Sequence, residues 1–356
     1  MAAFFGAGVA LPLFSEPALA RQAASRFPAD EYVRINSNEN PLGPCREGLA
    51  AIAKIAPSAG RYNPFEDYEN FVKTVAETEH IPAEYIASFA GSSDPLFRAS
   101  CAFTSPSKSW VMADPGYGEG APAFVGSKLV GVPLRADYSH DVQAMLAADP
   151  HAGAYYICNP NNPTGTLTPH KDIDLLLANK PKGSVVIVDE AYFHFVDNLP
   201  SAKEFVMAGK DVLVLRTFSK VYGMAGIRSG FAMARPDLLE RLYQYGDGNL
   251  PITALACATA SLKSANLVHE RRGINTQIRE DVFAFLKKKN IEYIPSHTNF
   301  FMMEVRRPHA EFAKAMAAQK VLVGRLWPSV PTKVRVSIGT KADMDAFKAA
   351  VNKVWG

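Results

Sequence analysis

Between Ile86 and Ala234 the chain repeatedly follows a short apolar run with a longer amphipathic stretch, and this alternation restricts its folds more than any other feature. The runs are Ile86–Ala90, Trp110–Ala113, Ala154–Cys158, Val185–Val188, Val212–Leu215 and Gly230–Ala234. Each is long enough for a strand and too short for a helix, and most lack the polar alternation of a half-solvated strand. Helix-like stretches such as Asp94–Phe103 and Pro169–Ala178 lie between them. Strand–helix alternation predicts an α/β fold around a mainly parallel sheet. Such sheets hold ligands at the carboxyl ends of their strands, so the residues directly after each run are the first candidates for function.

After about Pro236 the texture changes. Helical patterns fill Pro236–Tyr245, Ile252–Ser264 and Val268–Lys289, and strand candidates follow at Phe300–Val305, Val321–Leu326 and Val334–Ile338 before a last helix at Ala342–Val354. The expectation is a large domain over residues 50–245 and a smaller α+β domain built from 26–49 and 246–356, two units in a chain of 356 residues. Residues 1–25 stand apart, because Ala2 to Leu13 are almost all small or apolar and the stretch ends in Pro17-Ala18-Leu19-Ala20. That is the shape of a signal peptide, yet the charged start is missing. Two readings stay open: an apolar arm on a cytoplasmic protein, or a truncated twin-arginine-like signal for the periplasm.

Composition excludes several classes. Lys and Arg number 38 against 35 Asp and Glu, for a net charge of +3, and no basic run exceeds Lys287-Lys288-Lys289. A nucleic-acid binder would need clustered cations. Nothing approaches ~18 consecutive apolar residues, so no stable membrane insertion is expected. The four cysteines are scattered, and the eight histidines show no H-E-x-x-H, so no metal site is expected. A G-x-S-x-G nucleophile elbow is also missing.

Three loops after the runs carry chemistry. Asn159-Pro160-Asn161-Asn162-Pro163-Thr164-Gly165 is a rigid loop by virtue of its prolines and glycine, and it can hold amide donors toward a ligand or simply form a sharp turn. Asp189-Glu190-Ala191-Tyr192 places an acid at the end of an apolar strand, where burial demands a cationic partner unless the acid caps a helix. Arg216-Thr217-Phe218-Ser219-Lys220 and the following Arg228 combine a lysine suited to Schiff-base chemistry with donors suited to a phosphate. Together the loops call for a ligand with an aldehyde, a cationic ring nitrogen, a ring hydroxyl and a phosphate.

With Asn36-Ser37-Asn38-Glu39-Asn40-Pro41 and Arg61-Tyr62 added, the ordered set N-x-N-E-N-P, R-Y, N-N-P-T-G, D-E-A-Y, T-F-S-K and A-G-I-R resembles the fold type I aminotransferases, and within them the histidinol-phosphate aminotransferase group. The resemblance extends from Asn36 to Thr340. It implies a three-layer large domain beside a smaller one, pyridoxal 5'-phosphate as cofactor, a small-molecule amino donor and a 2-oxo acid acceptor, and a homodimer with shared active sites. The implied reaction is histidinol-phosphate:2-oxoglutarate transamination, a step of histidine biosynthesis. An aromatic amino-acid transaminase, or a lyase, racemase or decarboxylase on the same cofactor, stays open beside it.

The same resemblance assigns roles. Lys220 carries the cofactor and moves the proton, Asp189 pairs with the ring nitrogen, and Asn162 and Tyr192 hold the ring oxygen. Tyr117 stacks on the ring, while Ser92, Ser93, Ser219, Arg228 and a neighbouring subunit's Tyr62 hold the phosphate. Ser93-Asp94-Pro95 stands where the family usually reads G-x-D-E, a departure from the family's pattern in this part of the cradle. Arg335 matches the arginine for the substrate carboxylate, and Arg325 a second arginine near the substrate's far end. Asn40, with Glu39 and Tyr32, is expected to shape the substrate pocket.

Overall fold

The structure is a computed structural model that describes residues 31–62, 65–118, 121–246 and 250–355; the segment expected to be an arm or signal lies outside them. Its strands are β1 (Val33–Ile35), β2 (Ile86–Phe89), β3 (Ser109–Asp114), β4 (Leu129–Pro133), β5 (Ala152–Cys158), β6 (Val185–Asp189), β7 (Val212–Thr217), β8 (Gly230–Met233), β9 (Tyr293–Ile294), β10 (Phe300–Glu304), β11 (Val321–Val323) and β12 (Lys333–Ser337). Seven of them form one sheet in the order β2-β8-β7-β6-β5-β3-β4. The pairs from β4 through β7 are parallel, and β8 alone runs against its neighbours. The α/β fold with a mainly parallel sheet is therefore as expected.

Every residue of β5, β6 and β7 is buried, which explains their unbroken apolar spelling. Edge strand β4 escapes the pattern because only Val132 of its five residues is buried. Its partly solvated Leu129-Val130-Gly131-Val132-Pro133 reads like a loop, and Pro133 closes it in a manner an edge tolerates.

Around β10 and β12 a second core forms from Phe301, Met303, Val334 and Val336 with Phe312, Met344 and Phe347. Strand periodicity divides β10 between the two cores: Phe300 packs with the large sheet, Phe301 with the small one. β1 pairs in parallel with β11, Val33 opposite Val321, which brings the N-terminal residues to the smaller unit. Leu255, Cys257 and Ala258 of the helix Ile252–Leu262 belong to the core of the large sheet, as does Leu267 at the start of the helix Leu267–Lys288. Val282, Phe283 and Leu286, near that helix's other end, belong to the smaller core. We propose that the boundary between the two units lies within this helix rather than at residue 245.

Candidate active site

The carboxyl ends of β5, β6 and β7 open into a cavity of about 440 Å³. Asp189, the last residue of β6, is 2% exposed and lines it. Its Oδ1 accepts from the Ala191 backbone N–H at 3.0 Å, and its Oδ2 from the Tyr156 hydroxyl at 3.0 Å. Burial pushes this carboxyl up to about 6, against the pull of the Tyr156 and Ala191 donors and of Lys220. An acid so placed favours a cationic ligand group beside it. Tyr156 lies inside β5 and is fully buried, stacked on Trp110 at 5.8 Å between centroids. The sequence reading missed it, since a tyrosine in an apolar run reads as core.

Lys220 follows β7 on the turn fixed by Thr217, whose Oγ1 accepts from the Ser219 N–H at 3.1 Å. Its Nζ stands 5.4 Å from the centroid of the Tyr192 ring. The Tyr192 hydroxyl accepts from Asn38 Nδ2 at 3.1 Å and Asn162 Nδ2 at 3.5 Å. Asn162 turns its other amide atom to Arg335, whose Nη1 donates to Oδ1 at 2.8 Å. One buried amide thus joins the tyrosine to the arginine.

An anion cradle lies at the amino end of the helix Ser93–Phe103, where Ser92 stands at the N-cap without a side-chain capping bond and peptide N–H groups and the helix dipole favour negative charge. Ser92, Ser93, Ser219 and Arg228 all face the cavity there, and Ser93 Oγ meets the Tyr117 hydroxyl at 3.5 Å. Arg228 is held by Ala90 O and Ala225 O, each at 2.8 Å, and reaches Ser219 Oγ at 3.3 Å. Its backbone sits at φ +67°, a strained conformation for a residue with a Cβ, of the kind that clusters at functional sites. A Cβ on Gly91 would lie 2.5 Å from Arg228 Nη2, so the glycine leaves the guanidinium its place.

Not every expected residue reaches this cavity. Asn40 does not line it, because its Nδ2 donates to Val221 O at 2.9 Å. Glu39 and Ser37 line it instead. Tyr32 lies at the β1–β11 edge, under Lys320. Arg335 is fully buried behind Asn162, with Nη2 donating to Asn36 O at 2.8 Å. Arg325 and Arg335 flank the same indole, 4.3 and 5.1 Å from the Trp327 ring. Trp327 in turn donates to Gly116 O at 3.0 Å, next to Tyr117, and so docks both arginines against the large sheet's loops. Tyr62 is wholly exposed.

The donor set fits pyridoxal phosphate: a cradle for the phosphate, a buried acid for the ring nitrogen, donors toward the ring oxygen and an amine for the aldehyde carbon. Among the described residues no cluster suits a metal ion, and no helix is long and apolar enough to cross a membrane.

Known proteins resemble this chain in sequence and in fold. The family model for aminotransferase class I and II matches residues 30–351. The histidinol-phosphate aminotransferase of Symbiobacterium thermophilum is 32% identical over 91% of this chain and 91% of its own length. Histidinol-phosphate aminotransferase 1 of Dechloromonas aromatica is 32% identical over 92% and 91%. The structure of the Sinorhizobium meliloti histidinol-phosphate aminotransferase in complex with pyridoxal-5'-phosphate superposes with a TM-score of 0.84 at 24% identity, covering 99% of this chain and 98% of that one, and shows the shared fold. By its sequence over nearly its whole length, the chain belongs to the class I and II aminotransferases.

Proposed function

We propose that the protein is a pyridoxal-phosphate-dependent transaminase that takes its amino group from histidinol phosphate and passes it to 2-oxoglutarate. When bound, the cofactor supplies an electron-poor ring that delocalises the electron pair left at the substrate's α-carbon. The chain does the rest. Lys220 Nζ would hold the cofactor's aldehyde carbon and, once displaced there by the donor's amine, would take and return the α-proton. Asp189, oriented by Tyr156 and Ala191, would hold the proton on the ring nitrogen. Asn162 and Tyr192 would support the ring oxygen, Tyr117 would pack on the ring, and Ser92, Ser93, Ser219 and Arg228, which line the cavity, would hold the phosphate.

The observation that favours a phosphorylated donor is the pair of guanidinium groups on Trp327. An amino acid brings one carboxylate to this end of the site, for which Arg335 alone suffices. Histidinol phosphate carries a phosphate instead, and two arginines suit its second charge and third oxygen. Loss of the bound cofactor's absorbance in single-turnover mixing with a panel of donors tests this reading. Histidinol phosphate should react fastest and Arg325→Met should slow it more than it slows phenylalanine; a faster reaction with an aromatic amino acid would replace the donor.

The working unit in this reading is a homodimer. Tyr62, exposed on its own subunit, reaches the neighbour's phosphate, so each site needs two chains. Mixed Lys220→Ala and Tyr62→Phe chains should regain activity on subunit exchange, because one site of the heterodimer then carries neither defect. No rescue despite proven exchange would remove Tyr62 from the site. A donor consumed in biosynthesis supports a cytoplasmic enzyme, and a mature N-terminus at Arg21 in the native host would instead mean cleavage and export.

A further inference from the structure

The loop that turns Ser37 and Glu39 toward the active-site cavity turns Asn40, Pro41 and Leu42 toward a second cavity, of about 240 Å³. Phe195, Ile278 and Ile338 make its wall largely apolar. One polar group on that wall is poorly compensated. Arg271 is 6% exposed, burial pulls its pKa down, and no carboxylate among the described residues pairs with its guanidinium. A buried cation without an anion is unfavourable. A ligand carboxylate would supply the missing anion, and the volume, below the roughly 300–1,000 Å³ of drug-sized sites, keeps that ligand small.

We propose that this cavity is a second ligand site, taking a small carboxylate with an apolar side chain. Its occupancy reaches the first site through one carbonyl. Val221, next to Lys220, accepts from Arg271 Nη1 at 3.0 Å and from Asn40 Nδ2 at 2.9 Å. A carboxylate on Arg271 competes with that carbonyl and removes one of the two donors that hold the lysine's turn. This effect on rate rests on the role proposed for Lys220, whereas the binding does not.

The probe is L-3-phenyllactate, which has the carboxylate and an apolar ring but no amine to react at Lys220. Calorimetric titration of the holoenzyme should show it binding to wild type. Arg271→Met should weaken that binding about 10- to 100-fold, the scale of a lost charge-assisted hydrogen bond, and Ile278→Trp should block it by filling the cavity. At saturating amino donor the probe should still lower kcat. No binding, equal binding by all three proteins, or inhibition wholly relieved by amino donor would overturn the proposal, the last by placing the probe in the first cavity. A holoenzyme that carries its cofactor on Lys220 yet fails these tests loses only the second site. One that binds the probe through Arg271 but does not carry its cofactor on Lys220 loses only the reading of the first.

Discussion

Asp189 and Glu190 are sequence neighbours, each 2% exposed, yet their surroundings are built on opposite plans. Glu190 is closed by the protein. Arg216 Nε meets its Oε2 at 2.6 Å, Ser201 Oγ donates to the same oxygen, and the Ala202 N–H donates to Oε1 at 2.7 Å. Arg216 also pairs with Glu79 at 3.1 Å, and Glu79 with Lys203 at 3.1 Å, so two acids and two bases cancel in one buried network. Among the described residues the hydrogen bonds Asp189 accepts from Tyr156 and Ala191 are neutral, and the amine of Lys220 in the cavity pulls its pKa down. Glu190 is an acid that holds the fold; Asp189, in the proposed function, is one whose charge is left for the cofactor. Arg216 and Glu190 also tie the ends of β7 and β6 together, beneath the loops that carry Lys220 and Asp189.

The contrast can be broken most forcefully at Arg216. Arg216→Met leaves two buried carboxylates short of a partner and should cost about 3–5 kcal/mol of stability, read as a lower denaturant midpoint of the cofactor-free protein. A loss under about 1 kcal/mol would mean the network is not what holds this edge of the sheet. Asp189→Asn should do the opposite, leaving stability unchanged or raised while kcat falls. A loss of ~2–4 kcal/mol confined to the transition state corresponds to a fall of about 30- to 1000-fold. Turnover within a few-fold of wild type would show that Asp189 does not serve the ring nitrogen.

Acidity sharpens the same point. In the cofactor-free protein the Asp189 carboxyl is raised to about 6 from 3.8, so the native state holds its proton more tightly than the unfolded chain does. Its contribution is therefore full below about pH 4 and is lost as pH rises to about 6, a change of about 3 kcal/mol. Subtracting the Asp189→Asn stability curve from that of wild type should expose this fall. A difference that is flat, or that rises over that window, would show that the acid is already compensated.

The smallest effect belongs to Tyr156→Phe, which removes one donor from Asp189 at an expected cost of about 1–2 kcal/mol. The groups facing the acid are Tyr156 and Cys158 from β5, Lys220 from the loop after β7, and Glu190 beside it. With Tyr156 silenced, the carboxyl should protonate at higher pH, and the acid limb of kcat should move up. A variant that merely melts earlier, with its pH profile unmoved, would reduce Tyr156 to a packing residue.

The sequence displayed the part of this design that repeats along the chain. Runs buried on both faces announce β5, β6 and β7, and their ends announce Asp189, Asn162 and Lys220, because buried parallel strands admit few polar residues and a ligand site must use them. What depends on pairing across long separations stayed hidden. Tyr156 gives no sign of its target, since that target is chosen by the register of β5 on β6. Arg335 and Asn162 are 173 residues apart, and Arg271 and Val221 are 50 apart. Asn40 is part of the motif that carried the resemblance, yet its amide faces a backbone carbonyl rather than the active-site cavity, a distinction set by side-chain direction alone. Edge strand β4 was missed for the converse reason: it faces solvent enough to spell like a loop.

Reduction of the holoenzyme with borohydride, followed by peptide mapping, tests the assignment of Lys220 most directly. The pyridoxyl label should fall on the peptide containing Thr217-Phe218-Ser219-Lys220 and fragment to Lys220 itself. Label on another lysine, or wild-type labelling in Lys220→Ala, would contradict a site at the ends of β5, β6 and β7.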